Sequence, residues 1–546
     1  MGIDTIKEAI DGNEMGHVIS GVGVVDDIPH GTQRGIKPRH GQMIAFGGAV
    51  GTGLFVSTGP VLAMGGPAFI LICYLWMAAM MYLVITSLVE IAVLLPVQGV
   101  SVSYYGTRFV SKSLGFALGW LYIYSLGILV PYEITAGALV IGYWENPVPT
   151  AVWITILLVA MIVINLLPVS VYGESEFLFS FIKLVTMIGL LILTIVLFFG
   201  GGPKGDGVMG FRYWKNPGAT TTWLVEGSAG YLVAFTGVMV YSGFPFTFTP
   251  ELVIYASGEM KNPRKDLPVA TRSYIVRLMF FYIGTAFAIG IICPHNAADL
   301  TNGGAGAKSS PFIVGIQQAG IHSLGSIINV VVLISAWSAG NAFLYMASRG
   351  LYSMAIADQA PAVFKRCNKQ GTPYVAVCTI ALFGPLAYMN VGTNSSTVFN
   401  WFLSMINTTG FISWVCVSII YIRFRKAWAV QGRKPLPYKK NVQPWGAWVT
   451  GVFFAALTLL NGFNVFIKGH WSTATFITTY IGLPAFVVLY LGHRFTTGRN
   501  DPWTIPADEV DLQSADNLDA TGAASPVVDE ESLMRRGWGR FAAKLK

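Results

Sequence analysis

The chain has 546 residues, of which 53% are hydrophobic and only 11% are Asp, Glu, Lys or Arg. Soluble domains carry roughly 25% of these charged residues, so the composition excludes a soluble enzyme, a secreted disulfide scaffold and a nucleic-acid-binding protein. Residues 41–89, 370–422 and 441–467 contain no charged residue at all. Because a helix crosses the hydrocarbon core in about 20 apolar residues, the sequence predicts an all-α polytopic membrane protein.

Twelve apolar segments follow the polar N-terminal residues. They lie at approximately 43–63, 67–95, 114–144, 149–169, 177–199, 228–256, 274–293, 325–356, 374–390, 398–422, 445–466 and 474–493. Since twelve is an even number, both chain ends are expected on one side of the membrane. Of the 35 Lys and Arg residues, 29 fall on that side and five in the opposite loops. The positive-inside rule therefore predicts that both termini are cytoplasmic.

The first segment carries Gly47, Gly48, Gly51 and Gly53 within the stretch GGAVGTGLF. Each interior glycine costs a helix about 1 kcal/mol relative to alanine, so this run favours local unwinding. Unwound backbone is tolerated at membrane depth only where it faces protein or an aqueous cavity. The alternative is close helix packing, because small residues four positions apart, such as Gly47 and Gly51, also serve helix–helix contacts.

Ionisable residues inside apolar segments are costly and are therefore functional candidates. Glu133 lies near the middle of the third segment, which favours a role in substrate-amine binding or proton coupling. Lys183 lies in the fifth segment, where two hypotheses remain open. Its ammonium either extends to the interface or, once desolvated, gains and loses a proton during transport. Glu90, near the end of the second segment, is expected to be an interfacial anchor.

The sixth segment is interrupted by YSGFPFTFTPE at 241–251, which contains Gly243, Pro245 and Pro250. Proline inside a helix removes a hydrogen bond and clashes with the preceding turn, so a break is predicted here. Glu251, beside this break, either binds, couples protons or accepts backbone N–H groups that the break leaves without partners.

The two interrupted segments lie five segments apart, where two inverted five-helix repeats would place equivalent positions. Such a pair is the sequence pointer to the substrate site of a secondary transporter. Backbone N–H groups at a half-helix N-terminus attract a carboxylate, and carbonyls freed by unwinding accept hydrogen bonds from an ammonium group. The pattern therefore favours a zwitterionic substrate.

No enzyme motif is present in the sequence. The seven histidines form no ligand pair, the five cysteines lack CxxC spacing, and GTGLF lacks the Lys-Ser/Thr ending of a phosphate-binding loop. We therefore expect no catalytic residue, no metal site and no cofactor, and transport driven by an ion gradient rather than by ATP.

Several long motifs occur in the chain in a fixed order. They are KPRHGQMIAFGGAVGTGLF at 37–55, GFRYWKNPGA at 210–219, ELVIYASGEMKNPRKDLPVA at 251–270, SAGNAFLYMASRGLYSMA at 338–355 and GTPYVAV at 371–377. With these motifs the chain resembles the fungal amino-acid permeases, the yeast amino-acid transporter group of the amino acid–polyamine–organocation superfamily. The resemblance extends from near Lys37 to the end of the twelfth segment.

The resemblance implies a LeuT-type fold with 12 transmembrane helices. Helices 1–5 and 6–10 would form a 5+5 inverted repeat, with helices 1 and 6 broken and two extra helices following. It also implies proton-coupled import of amino acids across the plasma membrane. Backbone at the two breaks would hold the substrate, with the carboxylate at Gly51, Thr52 and Gly53 and the amine near Ala49, Tyr241, Ser242 and Gly243.

Further matches concern individual side chains. Lys183, in FLFSFIKLV, matches the helix-5 lysine to which the family's proton coupling is attributed, Glu133 the helix-3 glutamate, and Asn341 the helix-8 asparagine. One departure lies at the helix-6 break, where the family usually reads FTFxGTE or FSFxGTE and this chain reads FTFTPE. Phe246 is expected to be the aromatic gate over the substrate, and the pocket wall is expected to differ from that of other members. Glu251 completes the candidates for proton coupling.

These predictions divide the chain into seven regions. They are a cytoplasmic N-terminal tail at 1–40, a first repeat at 41–200, an extracellular loop at 201–227, a second repeat at 228–422, a basic cytoplasmic loop at 423–444, two further helices at 445–497 and a cytoplasmic C-terminal tail at 498–546. Residues 499–546 hold nine acids and few large apolar residues, a composition that favours disorder. The tails are candidates for contact with trafficking or ubiquitin machinery.

The leading hypothesis is a proton-driven amino-acid importer that works by alternating access. Its expected partners are a small amino-acid substrate, protons and the lipid bilayer, and no nucleic acid. One alternative is an amino-acid-sensing receptor related to permeases, with little flux. Another is a carrier for a polyamine or a choline-type cation, for which a carboxylate site would have no use.

Overall fold

The computed structural model describes residues 51–95, 101–144, 147–203, 207–251, 254, 263–298, 300, 310–392, 395–433, 435–436 and 438–512. Every regular element within these ranges is helical. Ala49, which is predicted near the substrate amine, lies outside the described residues, as do Gly47 and Gly48.

Six α-helices occupy the described residues up to 203. They are α1 (Thr52–Phe55), α2 (Thr58–Leu94), α3 (Ser101–Phe109), α4 (Lys112–Ile141), α5 (Thr150–Leu166) and α6 (Val169–Phe198). The long α2 covers the end of the first predicted segment and nearly all of the second, and it bends at Gly66, whose φ is 78°. A β-carbon on Gly66 would lie 2.8 Å from the carbonyl oxygen of Ala219, so both the bend and this loop contact require glycine.

Four α-helices follow in the described residues of the middle of the chain. They are α7 (Gly227–Tyr241), α8 (Pro263–Ile292), α9 (Pro311–Gln318) and α10 (His322–Ile356). A 3₁₀ turn at Phe244–Phe246 follows α7 and contains Pro245. The regular α-helical ladder thus ends at Tyr241, within the stretch where proline removes a backbone donor.

The described C-terminal residues contain six more α-helices. They are α11 (Tyr374–Ala381), α12 (Met389–Gly392), α13 (Ser395–Val430), α14 (Trp445–Leu460), α15 (Thr473–Tyr480) and α16 (Gly482–Phe495). Helix α13 continues to Val430, past residue 423, where the basic loop is predicted to begin. Arg425 on this extension forms an ion pair with the buried Glu90, at 3.3 Å, which holds the extra turns against α2.

Eight helical stretches among the described residues are long and apolar enough to cross a membrane. The number rises to nine if α15 and α16, which meet at 41°, form one bent span. The apolar helices α5 and α14 are shorter. The protein is therefore a multi-pass membrane protein.

The two faces of α6 show how these helices are placed. One face carries exposed apolar side chains at helical spacing, namely Leu178, Phe181, Val185, Ile188 and Ile192. The opposite face is fully buried and contains Glu176, Ser180 and Lys183. An apolar outer face with polar groups turned inward is the arrangement expected for a helix at the edge of a membrane bundle.

The first part of the C-terminal tail is packed against the helices. The backbone N–H of Ile505 donates to the carbonyl of Val110 at 2.8 Å, and Arg108 of α3 forms an ion pair with Asp511 at 3.0 Å. Val510 and Leu512 are buried. The expectation of disorder is therefore wrong for residues up to 512, and for 513–546 it lies outside the described residues.

Candidate functional site

The first candidate residues meet where α1 begins. Thr52 and Glu133 are both buried, and the Thr52 hydroxyl lies 3.0 and 2.9 Å from the two carboxylate oxygens of Glu133, to which it donates. A β-carbon on Gly51 would lie 3.6 Å from Glu133 Oε1 and 3.5 Å from Ala339 Cβ. The start of α1 thus packs directly against α4 and α10, with a carboxylate at the contact.

The two interrupted segments touch each other. A β-carbon on Gly53 would lie 3.2 Å from the Cα of Pro245 and 3.4 Å from the ring of Phe244. The carbonyl of Pro245 accepts a hydrogen bond of 2.6 Å from the Tyr282 hydroxyl of α8. The absent side chain at Gly53 therefore lets the backbone of the two segments approach closely.

Phe246 lies in the same place and is fully buried. Its ring centroid is 4.5 Å from that of Tyr282 and 6.0 Å from that of Tyr74 on α2. Two aromatic side chains therefore restrain the residue that is predicted to gate the substrate. The gating role itself stays a prediction.

Tyr241, Ser242 and Gly243 lie against α13. The Tyr241 side chain is hydrogen-bonded to Ser404, and Ser242, which is buried, donates to the carbonyl of Val238 at 2.6 Å. A β-carbon on Gly243 would lie 2.5 Å from the ring of Phe411, so this contact also depends on glycine. The second interruption is thus bounded by α1 on one side and α13 on another.

Lys183 is fully buried on the inner face of α6. Since α6 begins at Val169, Lys183 lies about four turns from the helix start. Its side chain does not reach the surface, so the hypothesis that it extends to the interface does not hold in this structure. Coulomb attraction acts between Lys183 and two acids, Glu176 and Glu133. Lys183 is thereby linked to the carboxylate that Thr52 contacts.

Two residues of this region were not found from the sequence. Glu176 is fully buried and accepts hydrogen bonds of 2.9 Å at both oxygens from Ser338. Asn165 of α5 donates to Asn341 Oδ1 at 2.6 Å. Glu176 was missed because the predicted fifth segment begins at 177, one residue later. The available signal was its spacing from Lys183, since residues seven apart share a helix face.

Glu251 occupies a separate environment between α4 and α13. Its Oε1 accepts hydrogen bonds from the Tyr122 hydroxyl at 2.9 Å and from the Ser413 hydroxyl at 3.1 Å. Phe248 has a φ of 62°, a left-handed conformation that is unusual for an aromatic residue. Its ring lies 5.7 Å from that of Tyr122. The second interruption therefore holds a strained residue beside a carboxylate that accepts hydrogen bonds from two hydroxyls.

Glu90 is fully buried and contacts other parts of the protein, so it is not an anchor exposed at the interface. It accepts a hydrogen bond from the Tyr421 hydroxyl and pairs with Arg425, both on α13. The backbone N–H of Lys440 donates to its other oxygen at 2.7 Å. One carboxylate thus joins α2, α13 and the following loop.

Comparison with known proteins bears on the same residues. A family model described as amino acid permease matches residues 40–505, which include every candidate site residue named above. The chain belongs to the amino acid permease family.

Among the permease's relatives is the proline-specific permease of Emericella nidulans, 44% identical over 486 residues that cover 88% of each chain. The proline-specific permease of Saccharomyces cerevisiae is 43% identical, covering 89% of this chain and 79% of that protein. The dicarboxylic amino acid permease of the same yeast is 39% identical, covering 85% and 77%. These names describe transporters rather than enzymes, and the predicted resemblance to fungal amino-acid permeases is confirmed.

Proposed function

We propose that this permease imports amino acids across the plasma membrane by proton symport and alternating access. The observation that carries the proposal is the buried hydrogen bonding of Thr52 to Glu133, together with the Coulomb attraction between Glu133 and the buried Lys183. An ionisable pair that is removed from water beside interrupted backbone suits a group that exchanges a proton as the site opens to one side and then the other.

We also propose the twelve-helix, LeuT-type arrangement, with repeats at 41–200 and 228–422 and helices 1 and 6 broken. The eight membrane-capable stretches among the described residues, or nine if α15 and α16 form one span, support it together with the two shorter apolar helices. The bend of α2 at Gly66 further supports a boundary between the first and second spans. The remaining region boundaries are proposed as the sequence predicts them, and the Lys/Arg imbalance supports cytoplasmic termini.

The substrate carboxylate is proposed to bind backbone N–H groups at Gly51, Thr52 and Gly53. Its ammonium group would be held by carbonyls near Ala49 and at the second interruption, residues 241–243, with Phe246 covering it. Glu133 would act on both the substrate site and the proton-coupling lysine, because it already contacts Thr52 and attracts Lys183. The contact between Gly53 and Pro245 supports a single site shared by the two segments.

The proton is proposed to bind the Lys183 and Glu133 pair from outside, together with the substrate, and to leave towards the cytoplasm after substrate release. Glu251 is the third group proposed for proton coupling. Proline is the substrate that we propose to test first, because three relatives at 43–44% identity are named proline-specific or probable proline-specific permeases. Proline carries both the carboxylate and the cationic amine that the proposed site requires.

The first test is uptake of each proteinogenic amino acid into vesicles containing the purified permease, with and without an inward proton gradient. A gradient of one pH unit supplies about 1.4 kcal/mol, so the wild type is expected to accumulate its substrate about tenfold. Lys183→Ala is expected to bring the internal and external concentrations to near parity. Lys468→Ala, at an exposed lysine, serves as the matched control.

Accumulation by Lys183→Ala equal to that of the control would overturn the coupling role of Lys183. Binding without uptake in wild-type vesicles would instead favour a sensing receptor. Equal competition by alanine and by its methyl ester, which masks the carboxylate, would favour a carrier for cations.

A further inference from the structure

The buried carboxylate of α6, that of Glu176, has no part in the import mechanism proposed above. Both of its oxygens lie 2.9 Å from the Ser338 hydroxyl of α10, which donates to them. Ser180, one turn along α6, donates a further hydrogen bond. A carboxylate kept inside a membrane protein and held in one orientation by two hydroxyls is costly, so it is a candidate for function.

Glu176 and Lys183 lie on the same face of their helix. Seven residues make nearly two turns, so their Cα atoms are separated by about 10 Å along the axis of α6 and their side chains are directed to the same side. Both are fully buried, whereas Leu178 and Phe181 between them are about half exposed. Lys183 is therefore attracted by an acid of its own helix and, through Glu133, by an acid of α4.

The other ionisable groups described on the helices that pack against α6 either contact other residues or lie on the exposed surface. On α10, the Arg349 guanidinium lies 3.9 Å from the ring centroid of Tyr345, which stacks at 4.1 Å on Tyr172 of α6. On α8, Asp266 and Arg272 are exposed, and the partly exposed Arg277 donates to the carbonyl of Ser273 at 3.1 Å. The sequence of α5 contains no Asp, Glu, Lys or Arg. Glu176 and Glu133 both attract the buried lysine of α6.

We propose that Glu176 is a positioning residue for proton coupling, which fixes the Lys183 ammonium group relative to α10 through its hydrogen bonds with Ser338. The inference rests on the proposed role of Lys183 in proton symport. Glu176 acts through Lys183 and does not contact the substrate. With both acids present, the ammonium is attracted by two negative charges. Without Glu176, one of them is lost, and uptake should require a more acidic medium.

The test compares Glu176→Gln with Glu174→Gln in vesicles, with radiolabelled proline as the probe. Glu174 is an exposed acid two residues away on the same helix and is therefore the matched control. Two quantities are measured for each variant, which are the external pH of half-maximal uptake and the exchange of proline in the absence of a proton gradient. In Glu176→Gln we expect the half-maximal pH to fall by about one unit. Exchange without a gradient is expected to remain.

Two further variants keep the test decisive if Glu176→Gln does not fold. Ser338→Ala removes the hydrogen bonds that Ser338 donates but leaves the one from Ser180 and all charges, so a smaller shift in the same direction is expected. Glu176→Asp keeps the charge and should restore the profile towards that of the wild type. A half-maximal pH equal to that of the control in all three variants would overturn the inference.

Failure of this inference can be told from failure of the proposed function. If Lys183→Ala abolishes proton-driven accumulation while Glu176→Gln keeps the wild-type pH profile, only the role of Glu176 is refuted. If Lys183→Ala still accumulates substrate under a gradient, proton coupling at Lys183 is refuted, and the role of Glu176 with it.

Discussion

Two buried acidic regions of this permease differ in what surrounds the carboxylates. In the first, Glu133 and Glu176 both attract Lys183, and the hydroxyls of Thr52 and Ser338 donate hydrogen bonds to these two carboxylates. In the second, Glu251 accepts hydrogen bonds from the hydroxyls of Tyr122 and Ser413. The first region therefore contains charges of both signs on two helices, α4 and α6, and the described contacts of the second are neutral donors.

This difference indicates how each region would respond to a proton. Gain or loss of one proton among two acids and a lysine changes the attraction between α4 and α6, so it can alter how these helices sit together. A proton on Glu251 would instead rearrange hydrogen bonds with α4 and α13. The first region is thus the stronger candidate for coupling proton movement to a helix movement, and three substitutions test that ranking.

Glu133→Gln is expected to have the largest effect. It removes one of the two charges that attract Lys183 and weakens the acceptor of the Thr52 hydroxyl. Removing one of two buried groups of opposite charge costs about 3–5 kcal/mol, because the other charge is left uncompensated. We therefore expect proton-driven proline accumulation to fall to the level of empty vesicles. The measurement is accumulation under a one-unit pH gradient. Normal accumulation would remove Glu133 from the proposed site.

Glu251→Gln is expected to have an intermediate effect. The amide retains an acceptor for the Tyr122 hydroxyl but loses the charge, and a hydrogen bond to a charged group contributes about 1.5–3 kcal/mol. We expect slower uptake that still rises at acidic external pH. The measurement is the ratio of initial uptake rates at two pH values. Loss of acid stimulation here, with its retention in Glu133→Gln, would reverse the ranking of the two regions.

Tyr122→Phe is expected to have the smallest effect. It removes the hydrogen bonds of the Tyr122 hydroxyl with Glu251 and with the Ser413 hydroxyl, while the Ser413 hydroxyl still contacts the same carboxylate oxygen. A net loss of about 1 kcal/mol is expected, seen as a small decrease in the thermal unfolding temperature of the purified protein. Tyr231→Phe, at an exposed tyrosine of α7, is the control and should leave that temperature unchanged. Equal temperatures for the two variants would show that Ser413 alone suffices.

Sequence reasoning reached the membrane class and the main charged residues because both depend on local, countable properties. Apolar runs report burial in lipid or protein, and an ionisable residue such as Lys183 stands out inside one. Glu176 stood one residue outside its predicted segment, since the hydropathy of GESEF placed the boundary at 177. The proposed role of Glu176 depends on its hydrogen bond with Ser338, 162 residues later in the chain. A local sequence pattern cannot reveal a contact between residues so far apart in sequence.

Helix ends were predicted less well for a related reason. The segment underlying α13 was ended at the first charge, Arg423, although the helix continues to Val430. A charged residue ends an apolar run but does not end a helix, because Arg and Lys are good helix formers. Here a tertiary ion pair between Arg425 and Glu90 also supports the extension. The bend at Gly66 likewise depends on contact with Ala219, far away in the sequence.

The packing of residues 499–512 has a practical consequence for anyone who shortens this chain. Cutting after the last apolar helix, near residue 497, would remove the partner of Arg108 and the acceptors of Gln431. It would also uncover the surface that Val510 and Leu512 now cover. A deletion of the whole tail would therefore have two effects at once. It would remove any regulatory segment in the tail, and it would damage the surface beneath it. A shortened chain that ends just beyond Leu512 would separate the two.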